Sequence, residues 1–129
     1  MFGSLDFVYM PSRDPAGELP YFEDRLGAEV VFAIEAFGAR VAMLRLAPGP
    51  PDVLLADHLE GERPVLVYRV DDLDAAVEQL EAAGAQPGSR FGIPHGPACA
   101  VTTPGGHHLA FYELTRPQAG EHLAGRRDF

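Results

Sequence analysis

The chain repeats itself. R-L-G-A-E-V (Arg25–Val30) and A-A-G-A-Q-P (Ala82–Pro87) each end a helical pattern at a glycine and lead into strand-like runs. Ahead of the first copy, S-L-D-F-V-Y-M (Ser4–Met10) is rich in aromatic and branched residues and stops at Pro11, which predicts a strand. Leu19, Phe22 and Leu26 then share one helical face, predicting a short helix over Leu19–Leu26 with Pro20 in its first turn. Strands follow over Ala28–Glu35, Ala39–Leu46 and Asp52–His58. The second half has the same order. Pro64–Val70 is a strand, and Leu73, Ala76, Val77 and Leu80 form the apolar stripe of a helix capped by Asp71 and ended by Gly84. Further strands are predicted near Gln86–Phe91, Ala98–Thr103 and His107–Leu114.

Written out, this is β-α-β-β-β twice. One such unit has too little core to stand alone, so the two are expected to pack together. The fold class expected is α+β: two tandem βαβββ modules, about 4–58 and 64–114, forming curled mixed β-sheets around a cleft. They make a single domain over 1–114, with an irregular arm over 115–129.

Charge narrows the function. The formal net charge is −9, whereas nucleic acid and anionic membranes select basic surfaces, so neither is expected as a partner. No apolar run approaches the roughly 20 residues that cross a bilayer, and no basic-then-apolar leader precedes the first strand. A single cysteine, Cys99, excludes an internal disulfide and suits a reducing compartment. A cytoplasmic protein is expected.

Three stretches carry a family resemblance: Y-F-E-D-R-L-G (Tyr21–Gly27), Y-R-V-D-D-L-D-A-A (Tyr68–Ala76) and T-P-G-G-H-H-L-A-F-Y-E-L (Thr103–Leu114). In this order and spacing they resemble the vicinal oxygen chelate superfamily, which includes glyoxalases I, extradiol dioxygenases, and fosfomycin- and bleomycin-resistance proteins. The likeness runs from about 5 to 114 and implies the glyoxalase/bleomycin-resistance fold. It also implies a metal held by four side chains in the cleft, at positions that fall on Phe7, Leu55, Val65 and Ala110. None of these side chains offers the N, O or S donor that zinc, iron or nickel requires. No metal and no other cofactor is therefore expected.

Alternation along strands predicts which side chains face the cleft. They are Leu5, Phe7 and Tyr9; Val53, Leu55 and Asp57; Val65, Val67 and Arg69; and His108, Ala110 and Tyr112, with Met43 and Arg45 from the third strand. Adjacent on one strand, His107 and His108 point to opposite faces and cannot hold one ion together. His108 shares the face of Ala110, while His107 belongs to the turn or the surface. A buried Arg69 would need a partner, and Asp57 is one candidate. Asp57, His58, His95 and His108 match no metal signature. G-S-R-F-G-I-P-H-G (Gly88–Gly96) lacks phosphate-loop spacing and is expected as a mobile loop over the cleft mouth.

The function expected is binding of a small organic molecule in the cleft, as the bleomycin-resistance proteins do, with Phe7, Tyr9, Leu55, Asp57, Val65, Arg69, His108, Ala110 and Tyr112 as contacts. The alternative is a lyase, isomerase or dioxygenase with relocated catalytic residues, so catalysis stays open. A homodimer is expected, with the arm either frayed or clasping a second subunit.

Overall fold

A computed structural model describes residues 2–36, 38–59 and 61–129. The chain divides into two compact units: Phe7–Pro64 with Leu123–Phe129, and Met1–Asp6 with Val65–His122. They are called here the N-terminal and C-terminal units.

The N-terminal unit is a mixed four-stranded sheet in the order β2 (Glu29–Ala36), β3 (Ala39–Arg45), β4 (Asp52–Ala56), β1 (Leu5–Pro11). β1 runs parallel to β4 and the other neighbours are antiparallel. Its helix begins earlier than the apolar spacing suggested. α1 spans Pro15–Pro20, and a π-helical turn continues over Tyr21–Arg25. The start signal is Asp14-Pro15: the Asp14 carboxylate accepts from Gly17 N at 3.1 Å, and proline costs nothing at the first helical position. Pro20 sits at the far end of α1, where the ladder passes into the π turn, and not in the first turn. Leu19, 2% exposed, packs on Ala33, Ala42, Leu44, Val53 and Leu55, with Met10, Phe22, Val30 and Phe129 around them. This is one face of the sheet.

The C-terminal unit holds four strands in the order β5 (Val65–Val70), β8 (His108–Glu113), β7 (Gly96–Thr102), β6 (Arg90–Ile93). β5 is parallel to β8, and β7 is antiparallel to both β8 and β6. Gly88–Gly96 is thus no loop over a cleft: most of it forms β6 and its hairpin turn into β7. Gly96 is there because a Cβ at this position would run into the Glu113 carbonyl oxygen. α2 (Leu73–Ala82) lays Leu73, Ala76 and Val77 against Val70, Cys99 and Phe111, with Leu80 and Val101 at the margin. Its cap is Asp72 rather than Asp71, accepting from Ala75 N at 3.0 Å. Glu113 accepts from Leu73 N at 2.9 Å, so the exposed amides of the first turn are answered from the sheet as well.

The predicted tail is ordered. α3 (Ala119–Leu123) is followed by a segment that runs along β2. No helix among the described residues is long and apolar enough to cross a membrane.

Candidate functional site

In the C-terminal unit the face opposite α2 is built from three strands in register. Val65 pairs with His108, and His108 with Thr102. Val67 pairs with Ala110, and Ala110 with Ala100. Arg69 pairs with Tyr112, and Tyr112 with Ala98. The expected grouping of Val65, Val67 and Arg69 with His108, Ala110 and Tyr112 is therefore the observed one. The middle of this face is floored by small side chains, with polar groups at both ends.

One end carries His108 and Thr102, whose Nδ1 and Oγ1 lie 3.4 Å apart. His108 and Val65 are half-buried and Thr102 is exposed. His107 lies in the exposed turn, where its backbone N donates to Thr103 Oγ1 at 3.1 Å.

The other end carries a buried carboxylate that alternation along β1 did not put forward. Asp6 is 7% exposed and Tyr112 1%. The Tyr112 hydroxyl donates to Asp6 Oδ2 at 2.5 Å, Arg69 Nε donates to the same oxygen at 3.0 Å, and Ser4 Oγ donates to Asp6 Oδ1 at 2.5 Å. Backbone bonds fix the register, with Gly3 N donating to Arg69 O at 2.7 Å and Arg69 N to Ser4 O at 2.9 Å. Burial works against the Asp6 charge, but the donors Ser4, Tyr112 and Arg69 outweigh it and hold the carboxyl below its ordinary range. Burial, reinforced by the bond to Asp6, pushes the Tyr112 phenol well above its usual value. Arg69 thus has a partner, but it is Asp6 and not Asp57. Arg69 is also rim-exposed, its side chain 45% accessible. Asp57 is exposed in the N-terminal unit, where its carboxylate accepts from Arg40 N at 2.9 Å.

Within the N-terminal unit, β4 has the opposite phase to the one expected. Leu55 pairs with Met10 and Ala42 and belongs to the cluster around Leu19. The residues aligned with Tyr9 are Leu54 and then Met43. Phe7 and Tyr9 are 6% and 7% exposed, with ring centroids 6.5 Å apart in an edge-to-face pair. Arg45, on the face of Met43, is held by Asp52 at 3.1 Å.

The four positions that the family resemblance assigns to ligands hold Phe7, Leu55, Val65 and Ala110, whose side chains are hydrocarbon. Among the described residues no three His, Cys, Asp or Glu side chains come together as a metal-binding group. Cys99 is 1% exposed, and burial raises its thiol. It is a packing residue beside Phe111.

No family model and no curated protein sequence matches the chain. Solved structures do. Methylmalonyl-CoA epimerase from Mycobacterium tuberculosis superposes with a TM-score of 0.74 at 22% identity, covering 92% of each chain. Methylmalonyl-CoA epimerase from Streptomyces coelicolor, in complex with 2-nitronate-propionyl-CoA, gives 0.72 at 16% identity over 90% of this chain and 100% of that one. A glyoxalase/bleomycin resistance protein/dioxygenase superfamily member from Vibrio splendidus gives 0.64 at 21% identity over 83% and 96%. With its two β-α-β-β-β units and mixed sheets, the chain has the α+β fold of the glyoxalase/bleomycin-resistance, or vicinal oxygen chelate, superfamily.

Proposed function

We propose that the protein binds a small, partly apolar organic molecule without a transition metal, using the face of β5, β8 and β7 opposite α2. The observation that carries this reading is Ala110. It stands at a position where the resemblance implies a metal-binding glutamate, and it is a methyl group between Val67 and Ala100. The proposed ligand's carbon would lie against these small side chains, and His108 with Thr102 offers a polar group to orient it, the composition usual in small-molecule sites. Val65 adds apolar contact, and Arg69 and Tyr112 border the other end. The reading takes the protein as a homodimer in the cytoplasm.

Thermal-shift screening of organic ligands tests this, since a ligand at 100 times its Kd adds about 2.7 kcal/mol of apparent stability. A genuine ligand raises Tm equally with and without EDTA, and Ala110→Phe or His108→Ala weakens the shift. A shift that EDTA removes and added metal restores would overturn the proposal.

A second reading, a metal-independent isomerase acting on an acyl-CoA thioester, is favoured by the likeness to epimerases. It requires a general base, and His108 is the group on this face with that chemistry. Turnover of CoA thioesters that His108→Ala abolishes would select it over simple binding.

A further inference from the structure

β2 is the outer strand of the N-terminal unit's sheet, and an outer strand exposes a row of backbone donors and acceptors. Here that row is answered. Gly125 N donates to Val31 O at 2.8 Å, Ala33 N donates to Arg126 O at 2.8 Å, and Asp128 N donates to Ala33 O at 2.6 Å. Ala33 and Arg127 form a parallel bridge. The next outward amide, Glu35 N, donates to the Asp128 carboxylate at 2.9 Å. Arg126 grips that carboxylate at 2.8 Å, and Arg127 reaches Glu23 at 3.2 Å. Phe129 packs beside the Leu19 cluster, with the Arg40 guanidinium 5.7 Å from its ring centre. Gly125, at φ +81°, makes the turn that brings the segment onto the edge. Each residue of G-R-R-D-F therefore has a contact that a frayed tail would lack.

We propose that Gly125–Phe129 is a self-ligand: docked by strand addition, it closes the β2 edge against the same segment of a second copy of this chain. The second copy is the partner because the sequence that fits this edge, its spacing of backbone groups and its aromatic anchor are encoded in the chain itself. Exchange would remake the same bonds between copies, as in swapped dimers. The inference is independent of any ligand on the C-terminal unit.

The test uses full-length Asp128→Pro/Phe129→Ala, which removes a cross-strand donor, the carboxylate and the anchor together. Every copy of the variant lacks the native segment, so its vacant edge is probed with free G-R-R-D-F peptide supplied in trans. Labelled peptide should bind the variant at least about tenfold more tightly than the wild type, whose edge is filled. A variant that binds the peptide no more tightly than the wild type overturns the proposal. Amide exchange on the wild type is the check that needs no variant. Ala33, Glu35 and Asp128 should be protected and exchange as one group. Exchange of Ala33 and Glu35 at unstructured-peptide rates would refute the docked segment.

Discussion

Tyr112 and Asp6 are 106 residues apart in sequence and joined by a buried hydrogen bond of 2.5 Å, the phenol donating to the carboxylate. The pair anchors the chain's N-terminal segment to β8. A double-mutant cycle of Tyr112→Phe and Asp6→Asn should give a coupling of about 1–2 kcal/mol in chemical denaturation. Arg69→Ala should cost less, under about 1 kcal/mol, because the exposed guanidinium already has water as a competing partner.

The same pair predicts pH behaviour at both extremes. Asp6 is held below its reference value of 3.8, so its contribution is complete above that value and is lost as pH falls through the lower folded pKa. Acid unfolding followed by circular dichroism should show this loss below about pH 4 in the wild type and not in Asp6→Asn. Tyr112 has a raised pKa, so its contribution is complete below the reference value of 10.0 and lost at higher pH. In an alkaline titration followed by phenolate absorbance, Tyr112 should ionise only as the protein unfolds. Tyr112→Phe should remove that step.

Leu19 is the contact by which α1 holds its sheet. Leu19→Ala should destabilise the protein by about 2–5 kcal/mol, from lost burial and the cavity left behind, measured as a fall in denaturation midpoint.

Ala110→Glu tests both packing and the metal argument. Restoring one glutamate leaves its cross-strand neighbours, Val67 and Ala100, unable to bind a metal, and Ala110 is 1% exposed. The variant should lose about 3 kcal/mol or more at neutral pH and gain no affinity for zinc or nickel in calorimetry. Its deficit should shrink in acid, where the carboxyl is neutral.

What could be read from the residues depended on the range of the interaction. The α2 stripe of Leu73, Ala76, Val77 and Leu80 is local, and all four pack as the spacing says. The shared face of Val65, Val67 and Arg69 with His108, Ala110 and Tyr112 followed from strand alternation once β5 and β8 were paired. The phase of β4 did not. It follows Pro48-Gly49-Pro50-Pro51, which carries no periodic signal, so Leu55 was assigned the wrong face. α1 was started late because Leu19, Phe22 and Leu26 outweighed Asp14-Pro15, the true start signal. Asp6 was the hardest to place, since its partners lie far along the chain. The available clue was an acid inside the otherwise apolar run L-D-F-V-Y-M, where a charge needs donors. The edge-docked arm was unreadable for the same reason: G-R-R-D-F has a structure only beside β2.

The proposed function needs no metal, with hydrocarbon side chains standing where the family resemblance implies ligands. Elemental analysis of protein expressed with zinc, iron, nickel and manganese present, and purified without chelators, tests it most directly. The account predicts far less than one equivalent of any transition metal per chain and a Tm unchanged by EDTA. One retained equivalent, whose removal lowers Tm or ligand affinity, would contradict it.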